Sequence, residues 1–140
     1  MKRAFRGDSG DVNVEVAIGV SALIILFGLA LIGMRVITAE SAVDEAARSA
    51  ARSASIARDG EAAAEAAETR AQAVIAQQGL NCDNLHIAVD ARDFAKPLGE
   101  TGYVIATVTC EVTFRDLMIP GSRLAVSEFR SPIDRYGARR

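Results

Sequence analysis

The stretch that decides the fold is Gly10-Asp-Val-Asn-Val-Glu15-Val-Ala-Ile-Gly-Val-Ser-Ala-Leu-Ile-Ile-Leu-Phe-Gly-Leu-Ala-Leu-Ile-Gly-Met34-Arg35. From Val16 to Met34 it runs nineteen residues without a charge, and Arg35 closes it. At about 1.5 Å of rise per residue, such a helix crosses the roughly 30 Å hydrocarbon core of a bilayer. No proline interrupts the run. Gly19, Gly28 and Gly33 are tolerated in it because lipid offers the backbone no better partner than its own helix. The feature to explain is the polar approach, since Asp11 and Glu15 stand directly against the apolar run.

Working outward, the 140-residue chain leaves room for one small domain beside this segment. Half of the residues are hydrophobic, but much of that share lies in the span and in alanine. Five Phe, two Tyr and no Trp remain to build an interior, too few for a large enzyme-like core. The formal charge of −2 argues against a general nucleic-acid binder. Lys2, Arg3 and Arg6 precede the span and favour a cytoplasmic N-terminus, with everything after Arg35 extracytoplasmic. Cys82 and Cys110 both fall in that exported part, where two thiols are expected to pair; the alternative is two unpaired buried thiols. A bridge closing a loop of that length would constrain the unfolded chain by roughly 3 kcal/mol in the entropic model.

Residues 1–35 admit three readings. A cleaved secretory signal has an apolar core of about 7–15 residues directly after its basic residues, with a small-x-small site beyond. The core here is longer, and two carboxylates precede it. A plain signal anchor fits everything except Glu15. The third reading accounts for Glu15 as well. A basic leader, Gly10, four residues, Glu15 and then an apolar helix together resemble the class III signal of type IV pilin-like proteins. That resemblance implies cleavage after Gly10 by a prepilin peptidase, Asp11 as the new N-terminus, and Glu15 as the glutamate at position five of the mature chain. It also implies that Glu15 meets the free α-amino group of a neighbouring subunit's Asp11 during assembly. Physics supports such a role, because a carboxylate at the membrane is costly unless paired.

Within that superfamily the chain most resembles the TadE-like minor pilins of tight-adherence (Tad) pili. The resemblance rests on the opening Gly10 to Ile18 and on the helix Val43-Asp-Glu-Ala-Ala-Arg-Ser-Ala-Ala-Arg52. Its third support is the late strand Val104-Ile-Ala-Thr-Val-Thr-Cys-Glu-Val-Thr-Phe114, followed by Pro120-Gly121. Two departures stand out: Val16 occupies a position where many relatives have an aromatic residue or leucine, and the first turns of the span lack the proline that many carry. The resemblance implies an α+β, pilin-like fold. In it the leader is 1–10, the transmembrane and assembly helix 11–36, an Ala-rich helical region 37–79 and a small extracytoplasmic β domain 80–140. The implied partners are other pilin subunits, the prepilin peptidase, the pilus assembly platform and the lipid bilayer. The implied location is the inner (cytoplasmic) membrane, then an extracellular pilus.

Residues 37–78 read as helix, dominated by alanine with Glu, Gln and Arg between. Val43, Ala46, Ala47, Ala50, Ala51, Ala54 and Ala57 recur on one face. Either this face receives neighbouring subunits or it lies on the chain's own small sheet. Asp44 and Arg48 stand four apart, a favourable exposed pair. Asp59-Gly60 is the expected break, with Asp59 capping a second helix from about Glu61 to Gln78 and Gly79 ending it.

From Leu80 the pattern alternates. Leu85, Ile87, Val89 and Ala91 share one face, with His86, Asp90 and Arg92 opposite. Lys96 to Gly102 reads as a loop. Val104, Ala106, Val108, Cys110, Val112 and Phe114 then form the apolar face of a half-buried antiparallel strand. Leu124 to Phe129 reads as a third, weaker strand or a short helix, and Ser131 to Arg140 as a frayed end with Arg135, Arg139 and Arg140 solvated. The helix before Gly79 is the natural cover for such a sheet.

Nothing in the sequence calls for chemistry. One histidine, His86, and two distant cysteines do not make a zinc site, and no nucleophile elbow, phosphate loop or dinucleotide fingerprint appears. Asp90, Asp93 and Glu100 near a turn are expected to be solvated carboxylates rather than an acid pair. No enzyme, cofactor, metal, nucleic-acid or small-molecule role is expected. The alternative to a pilus subunit is a permanently anchored single-pass protein whose small domain binds an envelope partner.

Overall fold

The computed structural model describes residues 9–115 and 120–134, with side chains from Val14 onward. Two compact units are present, residues 1–35 and 36–140. The secondary structure opens with helix α1, Ser9–Ser55, which takes in the whole apolar run. Within the first unit, residues such as Ile18, Leu23, Leu26 and Phe27 are more than 60% exposed. Among the described residues this is one helix long and apolar enough to cross a membrane. Its hydroxyl group at Ser21 donates to the Ala17 carbonyl at 2.8 Å, which satisfies it without leaving the helix. Residues 1–8, the larger part of the expected leader 1–10, and Arg135, Arg139 and Arg140 lie outside the described residues.

The second unit is a helical hairpin on a three-stranded sheet. α1 stops at Ser55, a little before the expected break, and Ile56 to Asp59 turn the chain into α2, Gly60–Gln77. Asp59 caps α2 as its sequence suggested, with Oδ1 accepting the Ala62 N–H at 2.8 Å. At the far end Gly79 takes φ 64°, its N–H bonds the Ala76 carbonyl, and the Leu80 N–H bonds the Ile75 carbonyl. This is the left-handed helix stop that glycine permits.

Strands β1 (Asn84–Asp90), β2 (Gly102–Thr113) and β3 (Ser122–Ile133) form one antiparallel sheet in the order β1-β2-β3. The central strand alternates without a fault, burying Gly102, Val104, Ala106, Val108, Cys110 and Val112. A short 3-10 helix, Arg92–Ala95, opens the segment that links β1 to β2. β3 differs from the expectation. It is neither weak nor helical but a twelve-residue strand paired with β2 along its whole length, and it takes in Ser131 to Ile133, which the sequence had suggested was frayed. Its polar and charged residues hide the period, because α1 contacts its inner face largely through polar groups. Arg123 lies 3.7 Å from Glu40, and Ser127 Oγ donates to Asp44 Oδ1 at 3.0 Å. Arg48 sits over the Phe129 ring at 5.2 Å, and Ser131 Oγ donates to Ser55 Oγ at 3.1 Å. These contacts also show that α1 and β3 run in the same direction.

The alanine face resolves in favour of the intramolecular reading. Val43, Ala46, Ala47, Ala50, Ala51 and Ala54 are fully buried in the domain core, while Ala57 lies past the helix end and is half-buried. α2 contributes Ala63, Ala67, Ala71, Val74 and Ile75 to the same core. Both helices therefore cover the sheet, not α2 alone. Arg70 Nε donates to Ser49 Oγ at 2.8 Å across the hairpin. The expected Asp44–Arg48 pair forms at 3.0 Å, but both side chains are half exposed and it contributes little.

An interface this close has no room for a larger side chain. Ala50→Leu is expected to lower the unfolding free energy of unit 36–140 by about 1–3 kcal/mol in a denaturant titration of the full chain in detergent. An unchanged midpoint would mean that the helix layer stands farther from the sheet than described.

Candidate functional site

Glu15 lies on α1 next to the start of the apolar run. It is exposed and makes no hydrogen bond or ion pair with any described residue. At helical spacing its face continues through Gly19, Ala22, Leu26 and Gly33. A Cβ placed on Gly19, Gly28 or Gly33 would meet nothing within 4 Å among the described residues, so no contact with them requires glycine there. Gly10 and Asp11 fall in the first turn of α1, while the Asp11 side chain lies outside the described residues. Glu15 is therefore a carboxylate at a hydrophobic boundary whose compensation, if any, comes from beyond the described chain.

Cys82 and Cys110 are bridged. Cys110 is fully buried in the middle of the sheet, and the bridge fastens the segment after α2 to the central strand. The alternative of two free buried thiols is excluded. Replacing both cysteines by serine is expected to cost roughly 3 kcal/mol of stability, read as a lower urea midpoint at constant slope.

The acidic residues near the β1–β2 connection are fixed by neighbours. Asp90 takes hydrogen bonds from the side chain and backbone of Arg92, which hold its carboxyl down from the ordinary 3.8 to about 2. Asp93 is lowered as well, first by Lys96 at 2.9 Å and then by the Tyr103 backbone N–H at 3.0 Å. Glu111 is lowered by Ser122 and Asn84. Carboxyl groups held this firmly ionised make poor general acids near neutral pH. With Tyr103, Ile105, Arg92 and Arg130, the two aspartates line a cleft of about 290 Å³. Arg130 stacks on the Tyr103 ring at 3.6 Å there, a contact that depends on strand pairing and has no signature in the residues alone. His86 is exposed on the uncovered face of the sheet, opposite Thr109. Among the described residues no group of three or more His, Cys, Asp or Glu is placed to hold a metal ion.

Comparison with protein-family models, with curated proteins and with solved structures found no match.

The depressed carboxyls set a direction for pH dependence. Each has a folded pKa below its unfolded value, so its contribution is complete above the unfolded value and disappears as pH falls through the folded one. For Asp90 that window runs from 3.8 down to about 2. Asp90→Asn is expected to flatten the acid limb of a stability–pH curve in that window and to lower stability at pH 7 by the same amount, a small one because the pair is exposed.

Proposed function

We propose that this chain is a minor pilin-like structural subunit of a Tad-type (type IV) pilus. It would be processed by a prepilin peptidase after Gly10 and assembled through its N-terminal apolar helix. One observation carries this reading: Gly10 and Glu15, five residues apart, stand immediately before the uncharged run Val16–Met34. Glu15 without a partner among the described residues supports it, as do glycines at 19 and 33 on the Glu15 face that no contact with a described residue demands. Small residues let another helix approach closely in a bilayer. The small α+β domain behind the helix is consistent with a pilin-like subunit. In this proposal the N-terminus faces the cytoplasm and the domain the extracytoplasmic side, until the subunit leaves the membrane for the filament. Cleavage exposes the Asp11 amine, and Glu15 pairs with that amine of a neighbour.

The second reading is a permanently anchored protein with a partner-binding domain. One observation favours it: the alanine face, the other candidate surface for neighbouring subunits, is already filled by the chain's own sheet.

The mature N-terminus separates the two. Protein isolated from cells that contain the peptidase is expected to begin at Asp11 by intact mass and terminal sequencing. Retention of Met1 or Lys2 would leave the anchored protein. Glu15→Ala is expected to spare membrane insertion and to lower incorporation into the assembly about tenfold or more, the scale for removing one partner of a desolvated charge pair. Normal incorporation would remove the proposed pairing with a neighbour's amine.

A further inference from the structure

The hydrogen-bond phase of the sheet fixes which backbone groups its edges present. The Phe114 N–H bonds the Gly121 carbonyl at 3.2 Å, and these residues face each other one step beyond the paired register of β2 and β3. Opposed residues in an antiparallel pair alternate between bonded and non-bonded. The bonded β3 residues are therefore Arg123, Ala125, Ser127, Phe129, Ser131 and Ile133. Ser122, Leu124, Val126, Glu128 and Arg130 then point N–H and C=O away from β2, toward the open edge. Two facts agree with this phase. Pro132, which has no N–H, falls at an outward position, where proline is tolerated. Tyr103 directs its N–H to the β1 side, where Asp93 accepts it. By the same alternation β1 presents Leu85, Ile87 and Val89 along the opposite edge. No hydrogen bond from a described residue reaches either row of backbone groups.

We infer that the β3 edge of one copy pairs in parallel with the β1 edge of the next, a head-to-tail contact that extends the sheet from chain to chain. This rests on the reading of Val16–Met34 as a membrane span. Polarity selects the partner edge. Only Arg35 and Val36 separate Ile37 from the apolar run, so in copies sharing a bilayer every Ile37 lies beside the same membrane surface. α1 follows β3 in direction, so two β3 edges meeting antiparallel would send their Ile37 residues to opposite ends. β1 and β3 are both antiparallel to β2 and thus parallel to each other, and pairing them keeps all copies aligned.

Side chains select the register. Arg130, which has no acidic partner among the described residues of its own chain, is placed opposite the Asp90 position of the next copy. On the inner face the half-buried Phe129 then meets Val89, Ser127 meets Ile87 and Ala125 meets Leu85, so the incompletely covered β1 residues join a continued core. A heterologous contact of this kind does not close on itself and propagates.

In this register the exposed Val126 stands opposite His86 of the next copy. Within one chain the two positions are separated by β2, about 9.6 Å apart at two strand spacings, too far for a disulfide. Full-length Val126→Cys/His86→Cys protein, oxidised in its own membranes, is expected to give a ladder of covalent multimers. A mixture of the two single variants gives dimers, and each single variant alone stays monomeric. Arg130→Glu lowers the cross-linked yield about fivefold, the upper range for reversing one cross-strand charge pair. A dimer from Val126→Cys alone, or membrane-bound double variant that yields no multimer, overturns the edge pairing. Protein found in the soluble fraction instead overturns the membrane span on which the inference rests.

Discussion

An alanine has too little side chain to hold a helix away from its neighbour, and the domain beyond residue 36 is arranged around that fact. Five alanines of α1 and three of α2 are fully buried, and the largest fully buried side chains are Val43, Val104, Val108 and Cys110. Such a core gains its stability from close approach rather than from bulky apolar area. It leaves little tolerance for a shift of the helix layer, which is why polar contacts at the rim matter more than usual. Glu40, Asp44 and Ser55 hold α1 in register with Arg123, Ser127 and Ser131, one contact after another along β3. The disulfide then fixes the segment after α2 to the strand on which this layer rests.

The same economy explains the glycine at the start of β2. A Cβ on Gly102 would come within 3.2 Å of the Asp93 carbonyl oxygen and 3.3 Å of Ile133 Cδ1. The 3-10 helix therefore packs directly on the strand, and its Asp93 carboxylate takes the Tyr103 N–H that lies beyond the end of β1. Arg92, read from sequence as part of the strand, instead opens a built corner of the sheet just before the stretch Lys96–Gly102 read as a loop.

Much of this was legible in the residues and some was not, for reasons that can be named. The period of Val104 to Val112 is visible because one face of β2 is buried and the other, Ile105 apart, is threonine and glutamate. Asp59 and Gly79 announce the ends of α2 because a cap and a left-handed stop each demand a particular side chain, or none. β3 was hidden because its inner face pairs arginine and serine with the polar rim of α1, so hydrophobic alternation does not mark it. The alanine face left two destinations open, since alanine packs as well against a sheet as against another subunit. For the candidate site, Glu15 and its approach are plain in the sequence, while the stacking of Arg130 on Tyr103 depends on strand pairing and could not be read from it.

The fate of the alanine face narrows what any partner can touch. The buried face of residues 43–54 is committed to the chain's own sheet, whereas most side chains from Val16 to Leu31 are exposed among the described residues. Lipid alone can cover an apolar helix, but lipid does not neutralise a carboxylate, and Glu15 adjoins that exposed surface without a partner among the described residues. Lipid also gives no reason for glycine at 19 and 33 on the Glu15 face in preference to a larger apolar residue. Both features are accounted for together by a second helix with a positive group near its start, lying against the first. A purely anchoring role needs separate reasons for the acid and for the glycines, and that difference in economy is what favours assembly through this face over simple residence in the bilayer.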